Sequence, residues 1–124
     1  MEMQTKHPTE PPLNDIKVRV RDFALRIIRF HCSLPRTTVA QVIGRQLLRS
    51  GTSVGANYRE GIRARSHSEY TAKLNLSLME LEETLYWLEL VEESVLKNVE
   101  VAWLKSEVGE LSAIFVSLIK RFKP

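Results

Sequence analysis

Apolar residues recur along this chain at alternating steps of three and four, and four separate stretches carry the pattern. The first is Ile16, Val20, Phe23, Ile27, Phe30 and Leu34. This spacing lines one face of an α-helix, and Pro35 stops it because proline cannot donate the next backbone hydrogen bond. Thr38 with Gln41 three residues later reads as a capping box opening a second helix, with Val39, Val42, Ile43, Leu47 and Val54 as its apolar face. A further box, Ser66-His-Ser-Glu69, opens a third helix whose inner stripe is Tyr70, Leu74, Leu78, Leu81, Leu85, Leu88 and Val95. After Lys97-Asn98 a fourth helix shows Val101, Leu104, Val108, Leu111, Phe115, Leu118 and Phe122 in an unbroken heptad. Nothing reads as a strand. Four long amphipathic helices with short connections predict an all-α fold, an antiparallel up-down four-helix bundle over residues 14–124. Residues 1–13 hold three prolines and almost no apolar side chains, so a flexible N-terminal arm is expected there.

Composition narrows the class without choosing a function. The 124 residues are 44% hydrophobic, enough for one continuous core. No apolar run approaches the roughly 18 to 20 residues that span a bilayer, and MEMQTKHPTEPPLND has no apolar h-region. The expectation is a soluble cytoplasmic protein with no membrane partner. Cys32 is the one cysteine, so no intrachain disulfide is open to it, and its apolar surroundings place it in the core.

The stretch GTSVGANYREG, residues 51–61, raises the question of a phosphate cradle. A P-loop needs a preceding strand and a following Lys-Ser/Thr, and this stretch has neither. Gly44, Gly51 and Gly55 instead fall at steps of seven and four on one side of the second helix, beside Thr52 and Ala56. Each helical glycine costs about 0.8 to 1 kcal/mol relative to alanine, so a compensating close approach is expected, either within the bundle or to another subunit. Gly61 comes at the end of the pattern and is expected to close the helix in the left-handed conformation.

Charge is segregated. From Asn14 to Arg65 there are eleven bases against three acids, and from Ser66 to Asn98 two bases against seven acids. Ten of the eleven bases are arginine, the side chain suited to bidentate pairing with carboxylate or phosphate. Arg45 with Arg49, and Arg59 with Arg63, are i,i+4 pairs that repel unless an anion lies between them. That anion is a glutamate of the third helix, a neighbouring subunit or a phosphate.

No catalytic constellation accompanies these features. A di-iron bundle needs Glu-x-x-His, and no Glu here has His three residues later. His7, His31 and His67 lack ligand spacing and read as solvated or hydrogen-bonded; no metal or other cofactor is expected. Glu80 and Glu83 share a helix side without a nucleophile beside them, so they read as a solvated or arginine-paired face. Tyr86 and Trp87 would stack bases only if exposed, and Trp87 is assigned to the core or a subunit interface. Asn57 and Glu60 read as groups that tie the turn to the start of the third helix.

The spaced positions Gly51, Ser53, Val54, Ala56, Asn57, Glu60 and Gly61, followed by Arg65, Ser66, Glu69, Tyr70 and Leu74, resemble the signature of bacterial four-helix bundle proteins encoded in 23S ribosomal RNA intervening sequences, sometimes labelled S23. The run Glu80-Leu-Glu-Glu83-Thr84-Leu-Tyr86-Trp87-Leu88-Glu-Leu90 is similar to one branch of that family. The resemblance extends from Asp15 over nearly the whole domain. It departs at Arg59, where a small residue is usual, and at Arg63-Ala64 in the turn. It implies a bundle that assembles into a ring, commonly a pentamer. The fold is also similar to the accessory variability protein of diversity-generating retroelements, a basic ring-forming partner of a reverse transcriptase and nucleic acid. Two functions are therefore expected to compete. One is a non-enzymatic ring-forming adaptor that binds RNA, or joins a protein of a nucleic-acid complex, through Arg19, Arg26, Arg45, Arg49, Arg63 and Arg65. The other is a structural or protein-binding homo-oligomer in which those arginines pair with third-helix carboxylates and nucleic acid has no role.

Overall fold

The structure is a computed structural model that describes residues 13–121. The proposed arm up to residue 12, His7 within it, and Phe122 lie outside the described residues. Four helices follow in order: α1 (Leu13–Ser33), α2 (Thr38–Ile62), α3 (His67–Ser94) and α4 (Val99–Arg121). Each packs on the next and α4 returns to α1, while the backbones of the diagonal pairs α1–α3 and α2–α4 stay apart and meet only through core side chains such as Tyr58 and Phe115. Among the described residues there is no strand, and no helix is long and apolar enough to cross a membrane.

Local chemistry sets the helix ends. Ser66 caps α3 by accepting a hydrogen bond from the Glu69 N–H at 3.1 Å, and the Glu69 carboxylate reaches back to the Arg65 N–H at 3.1 Å. The cap of α2 is Thr37, one residue before the expected Thr38; its hydroxyl accepts from the Ala40 N–H, and Gln41 donates to the Pro35 carbonyl. Asn98 accepts from the Val101 N–H at the start of α4.

The six-residue stripe of α1 is wholly buried, as is that of α4 from Val101 to Leu118. The middle helices differ from the sequence reading. On α2, Val39 and Val42 face solvent, and the buried side is Ala40, Gly44, Leu47, Ser50, Gly51, Val54 and Tyr58. The reason is volume: this face meets two neighbours at once and is filled by small residues, which a search for bulky apolar side chains passes over. On α3 the buried line is Leu74, Ser77, Leu81, Thr84, Leu88 and Val91, with Tyr70, Leu78, Leu85 and Val95 half-buried at its edge. Tyr58 stacks on Phe115, ring centroids 5.6 Å apart, and burial pushes its phenol well above the usual tyrosine range.

The glycines of α2 have short-range reasons. A Cβ on Gly44 would sit 2.9 Å from Leu34 Cδ1, one on Gly51 2.9 Å from the Ile27 side chain, and one on Gly55 3.4 Å from Val20 Cγ2. The close contact is thus with α1 of the same chain. Gly61 is not left-handed, since no described glycine has positive φ and α2 runs past it to Ile62. A Cβ there would meet Leu74 Cδ1 at 3.0 Å and Lys73 Cβ at 3.1 Å, so it is the approach of α3 that requires glycine.

Two further expectations are corrected. Cys32 is exposed, because it falls on the outward side of α1 opposite the buried stripe. His31 is half-buried, and the expectation fails at one atom: Nε2 is buried without a partner among the described residues, with the ring packed over Gly44.

Candidate functional site

The arginines divide into two groups by what faces them. Arg19 leaves α1 toward α4 and pairs both ends of its guanidinium with Glu107, Nε to Oε2 at 2.7 Å and Nη2 to Oε1 at 2.8 Å, with Glu110 a further 2.5 Å contact. Glu107 is buried. Its hydrogen bond holds the Arg19 proton far more tightly than in water. One helical repeat along, Arg26 pairs with Glu100 at 3.0 and 2.8 Å and lies 3.6 Å above the Trp103 ring. The hydrogen bond to Glu100 raises the Arg26 pKa as well.

Arg49 turns the other way, to α3. It donates to Glu80 at 3.4 Å and closely to Glu83, whose Oε2 also accepts from the Trp87 indole N–H at 3.0 Å. Trp87 is half-buried against the core with its ring 5.0 Å from the exposed Tyr86 ring. The anion beside Arg49 is therefore a third-helix carboxylate pair. The carboxylates that take Arg19 and Arg26 are on α4, which the sequence reading did not consider as a partner.

Arg45, Arg63 and Arg65 are exposed and have no side-chain partner among the described residues. Arg45 lies in the first third of α2. Arg63 and Arg65 sit in the α2–α3 connection beside Arg59 of the last turn of α2, also exposed, and no carboxylate among the described residues pairs with Arg59 or Arg63, an i,i+4 pair. The end of α4 comes to the same pole: its last turn holds Lys120 and Arg121, and Tyr70, raised by burial, is pulled partly back by the Arg121 charge. Among nearby acids, Glu60 accepts from Lys73 at 2.6 Å and Glu69 is occupied in the cap. Glu60 thus ties α2 to α3, whereas Asn57 donates to the Ser53 carbonyl within its own helix.

Sequence reasoning missed the polar contacts of the α2–α3 seam. Ser77 donates to the Val54 carbonyl at 2.8 Å, and Thr84 Oγ1 lies 2.8 Å from Ser50 Oγ and 2.7 Å from the Glu80 carbonyl. Their signal was present as seven-residue spacing of small hydroxyl residues, from Ser77 to Thr84. No group of three or more His, Cys, Asp or Glu able to hold a metal ion occurs among the described residues.

A family model described as "23S rRNA-intervening sequence protein" matches residues 14–117. The crystal structure of a protein of unknown function from the S23 ribosomal protein family of Bacteroides thetaiotaomicron VPI-5482 is 35% identical, with a TM-score of 0.78 over 85% of this chain and 98% of that one. No curated protein matches the chain.

Proposed function

The chain belongs to the 23S rRNA-intervening sequence protein family, and from that premise we propose a non-enzymatic cytoplasmic adaptor that assembles into a homo-oligomeric ring, a pentamer, and engages RNA. The helices run antiparallel, up and down, in this reading: Val20, Ile27 and Leu34 climb α1 as their partners Gly55, Gly51 and Gly44 descend α2. Exposed Val18 and Ile28 on α1, and Leu76, Met79 and Tyr86 on α3, support self-association.

The observation that carries RNA engagement is the group Arg59, Arg63 and Arg65 at one pole, where no carboxylate among the described residues pairs with the two arginines one turn apart. Part of that charge complements the C-terminal end of α2, which accounts for Arg59 but not for all three. Of the six arginines that the sequence singles out, Arg63 and Arg65 keep the role, with Arg45 peripheral to it. The test is a salt titration with single-stranded RNA, in which each phosphate neutralised by the protein adds about −0.7 to the log-log slope. Changing Arg63 and Arg65 together to Gln makes the slope shallower by roughly one to two units, while Arg49→Gln leaves it unchanged. No measurable binding at low salt would end this reading.

The second reading, a structural homo-oligomer without nucleic acid, is favoured by the pairing of Arg19, Arg26 and Arg49 with α4 and α3 carboxylates. It requires an intact assembly that ignores RNA at every salt concentration.

A further inference from the structure

α1 and α3 stand at opposite corners of the bundle, their backbones out of close contact within one chain. Both nevertheless carry a second stripe, turned away from the core. On α1, Val18, Arg21, Leu25, Ile28 and Cys32 recur at steps of three and four, the spacing of a coiled-coil seam, and Val18 is 57% exposed. Arg21 and Arg29 on this side, and Arg36 in the connection that follows, are exposed without an ion-pair partner among the described residues, and Asp22 is the one acid between Val18 and Arg36.

On α3 the outward stripe is Asn75, Met79, Glu82, Tyr86, Glu89 and Glu93, at the same spacing, with Met79 62% and Tyr86 52% exposed. Glu82, Glu89 and Glu93 have no ion-pair partner among the described residues; Lys105 of α4 feels the charges of Glu89 and Glu93 but is itself bonded to Glu92. One corner thus interleaves apolar side chains with bases, and the opposite corner sets Met79 and Tyr86 among acids.

We propose that the outer face of α1 in one copy docks on the outer face of α3 in the next copy, which rests on the self-association reading above and adds to it the surfaces used. The contact is heterologous, each copy using both corners, so successive copies join head to tail and close where the rotation permits. Met79 and Tyr86 supply the apolar anchors against Val18, Leu25 and Ile28, and the glutamates meet the arginines at the rim. A second copy is the occupant that this charge complementarity selects, because the chain carries both halves of the match.

The experiment is charge reversal read by sedimentation velocity. Arg21→Glu with Arg29→Glu reverses the α1 face, and Glu82→Arg with Glu89→Arg reverses the α3 face. Each pair sets like charges against each other across the interface, so the expected result is self-association weakened at least about 100-fold, with far-UV circular dichroism and melting temperature unchanged. All four changes in one chain restore the sign match and return the wild-type mass. Face variants that keep the wild-type mass, or a fourfold variant that stays dispersed, overturn the docking assignment while self-association stands. A wild-type chain that is monomeric at its highest soluble concentration overturns both.

Discussion

On its two sides α2 meets its neighbours through small residues: Gly44, Gly51 and Gly55 toward α1, and Ser50 and Gly61 toward α3, where Ser77 and Thr84 stand opposite. Between α1 and α4 the backbones approach at few points, and Arg19, Arg26, Glu100, Glu107 and Trp103 span the gap. Both are seams of one bundle, but they fail differently. A close seam has no room, so its energy is set by volume. A bridged seam has room and holds charge, so its energy is set by whether each buried ionic group keeps its partner. The open α1–α4 groove also leaves Arg29 beside Arg26 facing solvent.

The largest effect is expected in the close seams. Gly51→Leu and Gly61→Leu place a branched side chain where even a Cβ meets Ile27 at 2.9 Å or Lys73 Cβ at 3.1 Å, and each is expected to cost about 3 kcal/mol or to prevent folding. Urea denaturation reads this directly. Unchanged midpoints would show that the seam opens freely and would erase the contrast.

The bridged seam answers more weakly and can be rebuilt. Arg19→Ala leaves buried Glu107 unpaired; because Arg19 is a third exposed, the expected loss is about 2 kcal/mol rather than the roughly 3 to 5 of a fully buried pair. Arg19→Met combined with Glu107→Leu removes both charges and keeps the volume, and recovers most of that stability. A double variant no better than the single would mean that shape, not charge, closes this seam.

The α3–α4 seam gives the smallest effect, visible only in acid. The hydrogen bond from Lys105 holds the Glu92 carboxyl below its ordinary value of 4.5. A depressed folded value contributes stability above the unfolded pKa and loses it as pH falls through the folded one. Glu92→Gln is therefore expected to flatten the acid limb of the stability curve below pH 4.5, leaving its shape at neutral pH as in wild type. An acid limb of undiminished slope would mean that the pair adds nothing to acid stability.

The outer helices were legible in the residues and the inner ones only in part. α1 and α4 each bury one stripe of large side chains, so a search for bulk at helical period finds Ile16 through Leu34 and Val101 through Leu118. α2 lies against two neighbours along much of its length, and its buried face is built of Ala40, Gly44, Ser50 and Gly51 as much as Leu47 and Val54. There the same search selects Val39 and Val42, which face solvent. The arginines were visible as a class, and their spacing marked Arg45 with Arg49 and Arg59 with Arg63 as pairs that repel unless an anion intervenes, but spacing along a chain carries no information about which helix crosses behind it, and only Arg49 of the four meets a carboxylate among the described residues.

What the amino-acid order determined alone is what depends on neighbours within about a turn. Four helices, the Ser66–Glu69 cap and the demand of the α2 glycines for close company follow from periodicity and local hydrogen bonding. Tertiary structure decided everything that depends on distant partners: Gly61 is helical because α3 passes over it, Cys32 is exposed because no helix covers that side of α1, and Arg19 belongs to Glu107, 88 residues away. The physical reason is range. Backbone propensity and capping act across one turn, whereas the pairing of a charge is settled by whichever carboxylate the packed helices bring within about 3 Å, and that follows from helix order and backbone separation around the bundle.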